Sequence, residues 1–138
     1  LLVGPVAGLR YRLRRISPEE LLPIGDWPQP VLAGPAAPGG PVQVTIEYFA
    51  LGGREDELMA ALEGTRFSRR RTGASAWRLW RDSAEPSRIL EQFVVVSWEE
   101  HLRQHERITV RDQSRFDQAR SMTDPAHPTT VTHWLAAP

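Results

Sequence analysis

Proline placement sets the limits on this chain before anything else does. Seven prolines and four glycines fall between Ile16 and Pro41. Each proline locks φ and removes a backbone donor, so a stretch this dense supports neither a helix interior nor a central sheet ladder. At most a short turn fits, at Ser17-Pro18-Glu19-Glu20, with Ser17 as N-cap and Pro18 at the first helical position. Trp27 is expected to lay its ring on the surface of the folded part. The folded unit therefore starts at Val42, and the chain divides into residues 1–15, a linker over 16–41 and a domain over 42–138.

Within the domain, Val42-Gln43-Val44-Thr45-Ile46-Glu47-Tyr48 alternates apolar and polar residues without a miss, as a strand with one buried face does. Gly52 and Gly53 end it. A helix follows from Arg54 to about Arg71, acidic at its start (Glu55, Asp56, Glu57) and basic at its end, as the helix dipole favours. Leu58, Ala61, Leu62 and Thr65 form its inward stripe, and Gly73 stops it. Ser75 to Asp82 reads as a second strand, with Trp77 and Leu79 on one face and Arg78 and Trp80 on the other. Arg88 to Ser97 reads as a third, whose Val94-Val95-Val96 run predicts a central strand covered on both faces. Ser97 caps a helix running to about Arg107, and Thr109 with Asp112 opens another running to about Met122. Thr129 to Leu135 is the last strand. The order is βαββαβ, the ferredoxin-like α+β motif: a four-stranded antiparallel sheet with helices on one face. The uncovered sheet face predicts a homodimer, a dimeric α+β barrel with an apolar face at its centre.

The first fifteen residues point elsewhere. Leu1 to Leu9 are uniformly apolar and are followed by Arg10, Arg12, Arg14 and Arg15. Nine residues cannot span a bilayer, which takes about 20. A signal peptide carries its basic residues before the apolar run, whereas a transmembrane helix leaving the bilayer on the cytoplasmic side carries them after it. Residues 1–15 are thus expected to be the end of a last transmembrane helix and its basic exit, which places the domain on the cytoplasmic face of the cell membrane, joined to a membrane portion of the same polypeptide.

Composition removes several chemistries. Cysteine is absent, and all 17 basic residues are arginine. No disulfide, thiolate nucleophile or lysine Schiff base is available. The formal net charge of zero gives no global field for nucleic acid.

The residues that remain as candidates are few. His101 and His105 lie four apart on one helix face, a spacing that can hold zinc, but there is no HExxH pattern, and a third ligand would have to come from elsewhere, from His133 or a carboxylate. A solvated helix face is the simpler reading, with no metal expected. His133 sits mid-strand between apolar neighbours, where it could serve as a general base or haem-side ligand; a packed histidine is the simpler reading. Trp77, Phe93, His101, His105 and Trp134 are the candidates to line a pocket for a flat ligand. Alternation sets Trp134 opposite His133, which weakens a catalytic reading, and no cofactor is expected. Arg69 to Arg71 read as a solvated face.

Taken together, Ser97 to Asp112 (SWEEHLRQHERITVRD), the apolar-then-arginine start, the WPQP, VTIEYF and WRLWRD segments and the closing VTHWLAAP resemble the C-terminal domain of major facilitator exporters known as transmembrane secretion effectors, relatives of enterobactin exporters. The resemblance spans nearly the whole chain. It implies a non-catalytic accessory domain that assists dimerisation or senses a small-molecule cargo. The architecture is also similar to antibiotic biosynthesis monooxygenases, which implies the alternative of a cofactor-independent enzyme or ligand-binding domain for aromatic compounds. No catalytic motif of those enzymes maps onto these residues.

Overall fold

The computed structural model describes residues 16–23, 32 and 39–137. The expectations for residues 1–15, including Arg10, Arg12, Arg14 and Arg15, and for Trp27 lie outside the described residues. Among those described, no helix is long and apolar enough to cross a membrane.

The elements are β1 (Val42–Phe49), α1 (Glu55–Thr72), β2 (Ser75–Arg81), β3 (Arg88–Val95), α2 (Trp98–Glu106), α3 (Val110–Arg120) and β4 (Thr130–Leu135). All strand pairs are antiparallel, in the order β2-β3-β1-β4, so the ferredoxin-like expectation holds. Ser97 caps α2 by accepting from the Glu100 amide, and Thr109 with Asp112 forms a capping box on α3. Gly73 ends α1 at φ 125°, a conformation that L side chains resist.

The core lies between the sheet and the helices. Val42, Val44, Ile46 and Tyr48 of β1 face it, as do Ile89, Phe93 and Val95 of β3 and Leu58 and Leu62 of α1. From the linker, Leu32 packs against this core. Pro18–Leu21 forms a single 3-10 turn, and the chain then docks on the start of α3: Pro23 bridges Thr109, and the Val110 amide donates to the Leu22 carbonyl at 3.1 Å.

Two expectations need correction. β3 is an interior strand, but only one of its faces is covered, because the helices pack on one side. Val95 is buried, Val94 half-buried, and Val96 lies beyond the strand end, 70% exposed. In β2, unbroken alternation fails. Ser75 pairs with Val94 and Arg78 with Gln92, so Ala76 and Trp77 together oppose Phe93. This is a β-bulge. Ala76 takes up the extra residue at φ 49°, which costs an alanine about 1–2 kcal/mol. The bulge delivers the Trp77 indole into the core and leaves Trp80 50% exposed on the opposite face.

That opposite face is amphipathic rather than apolar. β1, an interior strand, presents Gln43, Thr45 and Glu47 there, beside Leu90 and Gln92 of β3. Glu47 pairs with Arg88 at 2.6 Å. The Trp134 indole donates to Thr45 Oγ1 at 3.0 Å and that of Trp80 to Gln92 Oε1 at 3.1 Å. An open groove of about 360 Å³ runs between these residues and Trp134.

Candidate functional site

Two polar clusters interrupt the apolar layer between sheet and helices. The first centres on Glu91, which β3 carries between Ile89 and Phe93 on the inward side; its exposure is 0%. An ionised carboxylate there is affordable only with full compensation. Arg69 supplies it from α1, with Nε to Oε1 at 2.8 Å and a terminal nitrogen to Oε2 at 3.3 Å. Tyr48 Oη donates to Oε2 at 2.8 Å and Trp77 Nε1 to Oε1 at 3.0 Å, while Thr65 Oγ1, which donates to the Leu62 carbonyl at 2.8 Å, lies 3.4 Å from Oε1. The Arg69 guanidinium lies between the rings of Phe93 and Phe116, 5.1 and 4.3 Å from their centroids. Burial pushes the Glu91 carboxyl up, but Arg69 and the indole and phenol donors outweigh it and hold the group below the usual carboxylate range. Burial and the neighbouring carboxylate push the Tyr48 phenol well up, against the pull of Arg69, so it remains a donor.

The second cluster joins α2 to the edge strand. His101, expected on a solvated face, is 2% exposed. The correction has a simple cause. Trp98 and Ile108 turn this side of the helix inward, and β4, pairing Val44 with His133, brings His133 across to meet it. The two Nε2 atoms are 3.0 Å apart. Their protons follow from Gln104. Its amide nitrogen donates to Thr72 Oγ1 at 3.1 Å and to the Arg69 carbonyl at 3.5 Å, and a carbonyl can only accept. Gln104 Oε1 therefore faces His101 Nδ1, at 2.9 Å, and Nδ1 carries the proton. His101 Nε2 is then the acceptor, and His133 Nε2–H the donor. Trp98 packs edge-on against both rings, at 5.8 and 5.5 Å, and His105 lies 4.7 Å from His101, nearly perpendicular. Burial lowers His101 to about 4, against the bond from Gln104 and helped by His105 and His133. Burial lowers His133 as well. Both rings are neutral at pH 7.

The pocket candidates therefore divide among three places. Trp77 and Phe93 adjoin the Glu91 cluster. His101 and His105 lie with His133 under α2. Trp134, 57% exposed, is on the far side of the sheet. Among the described residues no carboxylate orients His133; a second histidine meets it. Among the described residues, no group of three or more His, Cys, Asp or Glu side chains is placed to hold a metal. Glu91 was not singled out in the sequence, and neither was its pairing with Arg69. The signal was available: β3 puts Glu91 in register with Ile89, Phe93 and Val95, and the α1 stripe Leu58, Leu62, Thr65 continues at helical spacing to Arg69.

Comparison with known proteins adds a family and a fold. The family model described as transmembrane secretion effector matches residues 1–138. No curated protein matches. Among solved structures, the chain is similar to a Bordetella bronchiseptica protein provisionally classed as an antibiotic biosynthesis monooxygenase, with TM-score 0.60 and 19% identity over 71% of this chain and 98% of that one. Proteins of the same provisional class from Caulobacter crescentus (TM-score 0.60, 12% identity, 72% and 92% covered) and Nitrosomonas europaea (0.59, 12%, 71% and 91%) are similar too. At these identities the likeness is one of fold.

Proposed function

The chain belongs to the transmembrane secretion effector family, and from that premise we propose that it is a non-catalytic accessory domain of a major facilitator-type exporter. It sits on the cytoplasmic face of the cell membrane and assists dimerisation or senses cargo there. Catalysis needs a base with a free lone pair aimed at a substrate in a dry pocket. The observation that carries the reading is the histidine pair: His101 uses both ring nitrogens on Gln104 and His133, and His133 turns its Nε2 proton, not a lone pair, toward it. Of the candidate walls, Trp134 lies on the opposite face of the sheet from Trp77, Phe93 and His133. The outer face, with its open groove beside Trp134, is the surface for a second copy or a cargo molecule.

The test has two parts. The reading frame that encodes Leu1 should continue upstream through about a dozen apolar segments of transmembrane length, and removing residues 42–138 from that protein should alter export or oligomeric state. A frame without such segments contradicts the proposal. So does oxygen uptake with quinol-type polycyclic aromatics that is lost in His133→Ala, which would make the protein a monooxygenase-like enzyme.

A further inference from the structure

The second half of α1 and the first half of α3 place three arginines, Arg71, Arg111 and Arg115, near one another with one buried carboxylate, Asp112, which pairs with Arg71. Arg71 pairs with Asp112, which is 2% exposed and also accepts from the Thr109 amide. Arg71 reaches the Arg107 carbonyl as well, at 3.1 Å. Arg115 donates to Ser68 Oγ at 3.0 Å and lies 5.4 Å over the exposed ring of Phe67. Arg111 stands one turn before Arg115 on α3. Among the described residues, neither Arg111 nor Arg115 has a carboxylate at ion-pair distance, so Asp112 answers only one of the three charges. The crowding has an electrostatic signature: Arg115 is held below the usual arginine value by burial and by Arg111, with Asp112 opposing and Arg71 adding to the depression.

Apolar side chains border this cluster. Val110 is 46% exposed, and Leu21 and Leu22 are 56% and 57% exposed. They are fixed beside it by the Leu22–Val110 and Pro23–Thr109 backbone links. Ile16, also exposed, follows directly on Arg10, Arg12, Arg14 and Arg15 in the sequence.

We infer that this face, with Arg71, Arg111 and Arg115 ringed by Leu21, Leu22 and Val110, docks on the anionic surface of the bilayer. Lipid phosphates supply the missing negative charge, and the apolar side chains enter the headgroup boundary. The inference rests on the reading of the chain as the membrane-adjacent part of an exporter, which supplies the surface. An exposed apolar rim is of no use in binding a free phosphate ion and is what a lipid surface rewards.

The test is sedimentation of the 138-residue chain with vesicles of phosphatidylcholine alone and of phosphatidylcholine mixed with phosphatidylglycerol. The double variant Arg111→Gln/Arg115→Gln is compared with Arg78→Gln/Arg120→Gln, which removes the same charge elsewhere. The expected result is phosphatidylglycerol-dependent binding, weakened by salt, that falls about thirtyfold in the first variant and much less in the second. An equal fall in both variants overturns the docking face in favour of net charge. Equal binding to both vesicle types, unchanged by either variant, overturns the face while leaving membrane attachment through the apolar start intact. Binding to RNA and not to vesicles overturns it too. The upstream reading frame tests the exporter reading separately, so either can fail alone.

Discussion

The two polar clusters on the inner face of the sheet solve the same problem in opposite ways. Around Glu91 a charge is kept and surrounded: one guanidinium and two neutral donors, the Tyr48 phenol and the Trp77 indole, converge on two oxygens. Around His101 no charge is kept. Among the described residues no carboxylate reaches the pair, and burial drives the rings neutral so that a single proton serves both Nε2 atoms. The difference lies in what each neighbouring helix delivers. α1 continues its inward stripe to Arg69, whereas α2 offers only Gln104. A buried polar group is thus charged or neutral according to the partner that the adjoining element can bring.

The largest test of this contrast is to strand the charge. Arg69→Met leaves the Glu91 carboxylate buried without its cation and should cost about 3–5 kcal/mol in urea unfolding. Arg69→Met with Glu91→Leu should cost clearly less than the sum of the single changes, because the uncompensated charge is gone. Additive losses would mean that the two residues do not act as a pair.

The second test uses pH. The folded His101 takes its proton only near pH 4 and the unfolded one near the ordinary 6.5, so between these values the unfolded chain binds more protons. Stability should therefore fall as pH drops from about 6.5 to 4, by on the order of 3 kcal/mol. The contribution of Glu91 has the carboxylate sign. It is present above the unfolded value of about 4.3 and is lost as pH falls further, through the lowered folded value. Acid unfolding should show both windows. His101→Phe should flatten the upper one and leave the lower in place; an unchanged upper window would assign it to other groups.

The outer face supplies a third test. Trp134→Ala should change monomer stability by under about 1 kcal/mol, since its ring is largely exposed. In ultracentrifugation at micromolar concentration, where the intact chain should form a dimer, it should weaken self-association. Only monomer in the intact chain would remove the outer sheet face as a site for a second copy.

Ala76→Gly is the smallest change, with an expected gain of up to about 1 kcal/mol from relieving the left-handed φ. A loss would mean that the bulge depends on the alanine methyl group.

Much of this was legible in the sequence because it is local. Alternation in Val42–Tyr48, the acidic start and basic end of α1, and the caps at Ser97 and Thr109 each specify their own element. The sites were less legible because their partners are distant in sequence. The bulge at Ala76 inserts a residue that alternation cannot register. Glu91 reads as one polar position in a strand until Arg69 is placed 22 residues away. His101 and Gln104 break the apolar stripe of α2 and so resemble a solvated face. Only the pairing of β4 with β1 brings in His133, 32 residues from His101.

The claim that these histidines are held by one another as a neutral pair is open to direct measurement by imidazole nitrogen NMR of the intact chain across pH. The account predicts that at pH 7 His101 is protonated on Nδ1 and His133 on Nε2, with the two Nε2 signals coupled and His101 taking up its proton near pH 4. A His133 that titrates near 7 independently of His101, with its proton on Nδ1, would contradict it.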